Sequence, residues 1–299
     1  MAVRMHRWAL TAIGSAVTTP AYRPRGRTMP MQIVSWNVNG IRAILKKNFL
    51  EWLERERPDI VGLQETKARL EQVPAEHVEA IQKLGYHIAW NAADRGGYSG
   101  VATLSRKPPL FVTEGVPFEN SEGRVLATEH GDFTFYNIYF PNGRQREDGP
   151  DPERLRFKLE FYDNLLALLE EERAEGKNVV VSGDYNVAHT EIDIARPKEN
   201  QTVTGFLPEE RKALQRYIDA GFVDVFRHFH PARLYEGREP SERIYTWWTY
   251  RGGARARNIG WRIDYHFVNQ DLLPCVKGAD VCDEVHGSDH CPISVDLDI

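Results

Sequence analysis

"NVVVSGDYN", residues 178–186, is a run of valines that stops abruptly at Gly-Asp-Tyr-Asn. Consecutive β-branched residues suit a strand covered on both faces, and the carboxylate and amide that follow are tolerable only where such a strand ends. The same construction recurs along the chain. "MQIVSWNV" (31–38), "DIVGLQE" (59–65), "YSGVATLS" (98–105), "RVLATEH" (124–130), "FTFYNIYF" (133–140), "RIDYHFVN" (262–269) and "PISVDLDI" (292–299) are further β-branched or aromatic runs bounded by Gly, Asn, Asp or Pro. Helical signals are fewer. The clearest is "DPERLRFKLEFYDNLLALLEEER" (151–173), where Asp151 is placed to cap, Pro152 suits the first turn, and Leu155, Leu159, Tyr162, Leu166 and Leu169 mark one face. Others are expected over 46–56, 76–84 and 208–220. Many strands without a regular strand–helix alternation imply an α/β chain built as a four-layer αββα sandwich, two packed mixed sheets flanked by helices.

The 299 residues, 41% hydrophobic, have the composition of an ordinary globular protein and suffice for a large core. No apolar run approaches the roughly 20 residues that span a bilayer. Three cysteines, Cys275, Cys282 and Cys291, form no CxxC pair and read as free thiols of a reducing compartment. Residues 1–30 carry Arg4, Arg7, Arg23, Arg25 and Arg27 and no acid, so that the formal net charge of −5 leaves −10 on residues 31–299. That make-up fits an organelle transit peptide, and "WALTAIGSAV" loosely fits a secretory h-region. The reading preferred here is a disordered extension or an upstream start, with one domain over 31–299 and a cytoplasmic location.

Polar residues gather at the strand ends. "SWNVNG", "GLQET", "YFPNG", "SGDYN" and "WRIDY" each place Asn, Asp, Glu or Tyr at or just inside such an end, where separate chain segments can converge on one pocket. Any one of these reads as a turn; five together, with "GSDH" as a sixth, do not.

"HGSDHCPI" (286–293) raises the question of chemistry, because a histidine there serves acyl transfer, zinc binding or phosphate handling. A Ser288–Asp289–His290 triad is disfavoured: neighbours in an extended segment point to opposite faces, and no G-x-S-x-G elbow supplies a nucleophile. Zinc held by Cys282, His286 and His290 would need a helix that Gly287 and Pro292 interrupt, and no second ligand cluster exists. Phosphate chemistry needs a hard cation, a base to ready water, and donors for developing charge. The strand ends offer Glu65 as an oxygen ligand, Asp184 as a base, Asn37 and Asn186 as positioners, and Tyr139 and His290 as donors.

"SWNVNGIRA", "LQETK", "GYSGVA", "EGRV", "YFPNG", "GDYNVAHTEID", "GWRIDY" and "GSDHCPI", taken in order, resemble the motif series of the exonuclease III family of abasic-site DNA endonucleases over about nine-tenths of the chain. The resemblance implies the deoxyribonuclease I-like fold with its site at one end of the two sheets. It implies that Asp264 orients His290, that Glu65 is the principal Mg²⁺ ligand with Asn39 and Asp289 nearby, and that Asp184, held by Asn37, readies the attacking water with Asn186. A two-metal variant would use Asp184, Asn186 and His290. Tyr139 and His290 would stabilise the phosphorane-like charge, with Mn²⁺ as a substitute cation.

Arg42, Lys67, Tyr98, Asn142 and Asn200 fall on family positions that touch the DNA backbone. Trp247, Trp261 and Ile263 fall where the family builds an apolar pocket for a flipped-out abasic sugar. "YRGGARARNIGWR" adds Arg251, Arg255, Arg257 and Arg262 as a basic stripe on an otherwise acidic body. The implied activity is Mg²⁺-dependent repair cleavage 5′ to abasic sites in double-stranded DNA, with trimming of blocked 3′ ends, by a monomer acting at the nucleoid.

Overall fold

A computed structural model describes residues 30–232 and 244–299; the N-terminal extension expected from the sequence lies outside the described residues, apart from Pro30. Numbered along the chain, one six-stranded sheet contains β1 (Met31–Asn37), β2 (Ile60–Gln64), β3 (His87–Asn91), β4 (Val101–Ser105), β13 (Val276–Val281) and β14 (Ile293–Leu297), in the order β13-β14-β1-β2-β4-β3. The other contains β5 (Phe111–Glu114), β6 (Val125–Glu129), β7 (Thr134–Tyr139), β10 (Val179–Asp184), β11 (Phe222–Asp224) and β12 (Asp264–Asn269), in the order β11-β12-β10-β7-β6-β5. A short ladder, β8 (Gln145–Arg146) with β9 (Gly149–Pro150), closes the loop before the long helix.

The sheets face each other through Ile33, Ile60, Phe135, Val180, Val268 and Val295, all nearly inaccessible to solvent. On the first sheet's outer face lie α1 (Ile41–Ile44), α2 (Phe49–Glu56) and α3 (Ala75–Lys83), which bury Ile44, Phe49, Trp52 and Ile81 against Trp36 and Leu63. On the second, α4 (Pro152–Ala174) and α6 (Pro208–Asp219) bury Phe161, Tyr162, Leu165, Leu214 and Tyr217 against Ile138, Val181 and Phe267. Two short helices, α5 (Pro197–Asn200) and α7 (Val225–Phe229), complete the set. This is the expected four-layer sandwich.

The helix α4 begins as read, with Asp151 Oδ1 accepting from the N–H of Glu153 at 3.1 Å and of Arg154 at 3.3 Å. Its buried face is a correction. The inward stripe runs through Lys158, Phe161, Tyr162, Leu165 and Leu169, while Leu155, Leu159 and Leu166 are only half-buried. The stripe is rotated because Lys158 points inward, where its Nζ lies 2.6 Å from Glu210 Oε1 with both residues buried. A lysine is expected outward unless a partner is waiting inside, and that partner comes from α6.

Register decides where the polar strand ends meet. Asn37 at the end of β1 is level with Gln64 on parallel β2, and Tyr139 at the end of β7 is level with Asp184 on parallel β10. Asp264, the first residue of antiparallel β12, is the direct partner of Asp184. Carboxyl ends of the parallel strands and the entries of β12 and β14 therefore share one end of the sandwich, where open α/β sheets bind ligands.

Candidate active site

Asn37 stands at the centre. Its Nδ2 donates to Asp184 Oδ2 at 2.9 Å and to Glu65 Oε1 at 3.1 Å, joining acids from the two sheets through one neutral amide. Its Oδ1 accepts the N–H of Asn39 at 3.0 Å. Asn39, Glu65, Lys67 and Asn186 all adopt left-handed backbone, at φ 47°, 51°, 52° and 53°. For Glu65 and Lys67, which gain nothing from that region, the conformation costs of order 1 kcal/mol and is held by Gly40 N–H to Glu65 O at 2.7 Å and Lys67 N–H to Ser99 O at 2.8 Å.

Asp184 is followed by the turn that its valines announced. Its Oδ1 accepts the N–H of Asn186 at 2.8 Å, and Asn186 Nδ2 donates to Phe140 O at 3.0 Å. The preceding Gly183 is obligatory: at φ 148° a Cβ would lie 1.8 Å from Ile138 O. On the other side of Asp184, His290 Nε2 lies 3.8 Å from Asp184 Oδ2, and His290 Nδ1 bonds Asp264 Oδ2 at 2.9 Å. Asp264, not the adjacent Asp289, orients the imidazole. Burial disfavours the imidazolium, but Asp264 and then Asp184 outweigh it and push His290 well above its ordinary range. Burial pushes Asp184 up; the His290 charge opposes this, and Asp264 and Glu65 add to it.

Glu65 is held ionised differently. Burial would raise its carboxyl, yet Lys67, 2.7 Å away at Oε2, and the Asn37 amide bring it below the usual value. Lys67 Nζ also donates to Asn39 Oδ1, and Asn39 Nδ2 donates to Asp289 Oδ1 at 2.9 Å. Asp289 Oδ2 accepts from Trp247 Nε1 at 3.2 Å. The Tyr139 phenol, buried and beside the negative charges of Glu65 and Asp184, is held protonated far above its ordinary range and is a hydrogen-bond donor at any working pH.

Beside this polar centre lies an apolar recess. Trp247 and Trp261 meet edge to face with ring centres 5.8 Å apart, both half-buried, over Ile263, Ile194 and Phe206. Gly205, at φ 96°, lets the chain pass under the Trp261 ring, which a Cβ would approach to 2.7 Å. Phe206 was not singled out in the sequence, and neither was Tyr250, 68% exposed at the rim beside Asp289 and Asn39.

The model of the Endonuclease/Exonuclease/phosphatase family matches residues 34–290. The chain belongs to this family. Within it, an exodeoxyribonuclease of Bacillus subtilis is 41% identical over 272 residues, 90% of this chain and 100% of that protein. The DNA repair nuclease APEX1 of Danio rerio is 40% identical over 274 residues, 91% of this chain and 84% of that protein. An AP endonuclease structure from Archaeoglobus fulgidus superposes with a TM-score of 0.78 at 29% identity, covering 90% of this chain and 100% of that one. These relatives set the family member with the exonuclease III-type enzymes, as the motif series implied.

The remaining expected residues divide. Arg42 is exposed on α1. Asn142 Nδ2 reaches Asn186 Oδ1 at 3.2 Å, which ties its loop to the site. Asn200 Nδ2 bonds Ala195 O at 3.2 Å and Arg196 O at 2.9 Å, bracing a rim loop. Tyr98 OH accepts from Arg124 Nη2 at 2.6 Å and Arg154 Nη2 at 3.0 Å. Arg124, from "EGRV", is itself buried 4.8 Å beneath the Tyr139 ring.

The basic stripe is corrected. Arg251 and Arg257 are exposed, but Arg262 is buried, its Nε 2.7 Å from Asp193 Oδ1 and its Nη2 2.8 Å from Asp224 Oδ2. Arg255 stacks 4.7 Å over Trp248 and donates to the carbonyls of Ser288, Asp283 and Val285. Both arginines hold loops, and charge alone did not distinguish them from the exposed pair.

Among the described residues, two places could receive a cation. Glu65, Asn39 and Asp289 form a hard-oxygen set in which the Lys67 ammonium already bridges Glu65 and Asn39, so positive charge is stabilised there. Asp184, Asp264 and His290 also present ligand atoms within 4.8 Å of one another. There the histidine's Nδ1 is committed to Asp264, and two carboxylates hold it toward its cationic form. A cation there would have to displace the imidazole proton, whereas the Glu65 group offers oxygen donors alone, from which the Lys67 ammonium would have to withdraw.

Proposed function

We propose that the protein is a Mg²⁺-dependent DNA repair nuclease, acting on double-stranded DNA at the phosphodiester 5′ to an abasic site and leaving a 3′-hydroxyl. The reading takes residues 31–299 as one catalytic unit working as a monomer in the cytoplasm, at the nucleoid, and includes trimming of blocked 3′ ends. A solved Neisseria 3′ phosphatase bound to product DNA, 28% identical with a TM-score of 0.79, supports the trimming activity.

The observation that carries it is the chain Asn37–Asp184···His290–Asp264, set between the Glu65 group and the tryptophan recess. Asp184, fixed by Asn37 and the Asn186 N–H, holds a water and accepts its proton as the oxygen attacks phosphorus. His290, kept protonated by Asp264, and the Tyr139 phenol donate to the phosphoryl oxygens as charge gathers there. The bond to the 3′-oxygen of the preceding nucleotide breaks, the phosphate stays on the abasic nucleotide, and the leaving oxygen takes a proton from solvent to become the 3′-hydroxyl, as Asp184 returns its own to solvent. Glu65 with Asn39 and Asp289 would hold a hard divalent cation, Mg²⁺ or Mn²⁺ in its place, which would supply further charge stabilisation for the phosphate. Trp247 and Trp261 wall a recess suited to an extruded sugar without a base, while Arg42, Arg251 and Arg257 meet phosphates. Lys67, Tyr98, Asn142 and Asn200 support the same DNA-facing rim.

The test is a duplex with one abasic analogue, incubated with Mg²⁺ or with chelator. A nick on its 5′ side that a polymerase extends, abolished by chelator, is expected. A product carrying a 3′-aldehyde, or no cleavage, overturns the reading.

A further inference from the structure

Asp264 and His266 alternate on β12 and share one face of the strand, and Arg262 stands two residues before its start. All three are buried, and each has one polar atom without a hydrogen-bond partner among the described residues: Arg262 Nη1, Asp264 Oδ1 and His266 Nε2. The other atoms of the same groups are engaged. Arg262 pairs with Asp193 and Asp224, Asp264 Oδ2 takes His290, and His266 Nδ1 meets Ser182 Oγ at 2.6 Å. The Ile293 backbone also lies close enough to act on the His266 ring, while Nε2 makes no hydrogen bond among the described residues.

These residues line one small cavity of about 10 Å³ between the sheets, bounded also by Phe226, Ala279 and Ile293 and, on its outer side, by the exposed Asp280. That volume admits about one water, and a buried water needs two to four polar partners, which this cavity provides. An anion would meet the Asp264 carboxylate, and a cation the Arg262 guanidinium. A neutral molecule that both accepts and donates satisfies both.

We propose that this cavity is a structural water site, in which one water accepts from Arg262 Nη1 and His266 Nε2–H and donates to Asp264 Oδ1. The water makes the buried Arg262 group the second support of Asp264, so the carboxylate is held from behind by Arg262 and engages His290 from the front. Asp193 and Asp224 anchor the arginine in turn. Arg262 is then a positioning residue for His290, a role that rests on the reading of His290 given above, whereas the water site itself does not.

A high-resolution crystal structure of the full chain should show one water within hydrogen-bond distance of all three atoms, and ¹⁷O relaxation in solution should detect a long-lived water. Ala279→Leu, which pushes methyl groups into the cavity, should remove both signals. It should also lower kcat on abasic DNA about tenfold, the scale of one lost support to a buried charge, with KM changed less than twofold. Density for a side chain or an ion, or a dry cavity, overturns the site. Loss of the water in Ala279→Leu with kcat unchanged overturns the positioning role. Water present in a protein that does not cut abasic DNA overturns the nuclease reading and leaves the site standing.

Discussion

Replacing Asp264 by Asn tests the heart of the site. The bond from His290 Nδ1 to Asp264 Oδ2 is 2.9 Å long with both side chains almost sealed from solvent, so it is a charge-assisted bond in a low-dielectric setting. Such bonds contribute about 1.5–3 kcal/mol, which at about 1.4 kcal/mol per decade is a loss of roughly 10- to 150-fold in kcat. The asparagine must also turn its N–H either toward His290, donor against donor, or toward the cavity, where the proposed water would donate to that position, which favours the upper part of that range. Asp264 raises His290, so its neutralisation lets the imidazole lose its proton at lower pH, and the alkaline limb of the rate profile should move toward neutrality. The assay is single-turnover incision of abasic duplex from acid to alkaline pH, for the wild type, Asp264→Asn, His290→Ala and the double variant. Because Asp264 acts through His290, the double variant should be little slower than His290→Ala alone. Losses that multiply, or an alkaline limb that stays where it was, refute the argument.

Glu65→Gln should raise the Mg²⁺ concentration needed for half-maximal incision by tenfold or more while DNA binding in chelator changes little, since an amide is a poor ligand for a hard cation; an unaltered Mg²⁺ titration removes Glu65 from the metal. Trp261→Ala should reduce the ratio of abasic to undamaged cleavage with a stability loss below about 3 kcal/mol, because the ring is half-buried, whereas a core tryptophan costs about 3–5 kcal/mol; a large fall in Tm with the ratio unchanged makes it core. Lys158→Met should destabilise the protein by about 3–5 kcal/mol, measured by urea unfolding, because Glu210 is left charged and buried and Asn186 O loses its donor at 2.8 Å. A loss under about 1 kcal/mol would mean that the pair is not sealed in as described.

Eight strands were legible in the sequence, and they are the eight interior strands of the two sheets. The four members that were not, β3, β5, β11 and β13, are the four sheet edges. An interior strand is paired on both sides and covered on both faces, so it is written as a nearly continuous apolar run such as "VVV" in β10. An edge strand is relieved of part of that burial, and "FVTE" or "VKGADV" carries no pattern that separates it from a loop. The short-range signals of the site were equally plain: a carboxylate or amide ending an apolar strand reports its own position, whatever it later meets.

Which end meets which was set by tertiary structure alone. Parallel pairing of β1 with β2 and of β7 with β10, with β12 and β14 running against them, brings Asn37, Glu65, Tyr139, Asp184, Asp264 and His290 to one end of the sandwich. Tertiary structure also set the direction of charged side chains. Lys158 and Arg262 have the composition of surface residues and the burial of core residues, because Glu210, Asp193 and Asp224 wait for them on other elements. A local sequence encodes the cost of burying a charge, but the partner that offsets it lies 52 residues away for Lys158, and 69 and 38 for Arg262. Only the folded chain brings those distances to hydrogen-bond length.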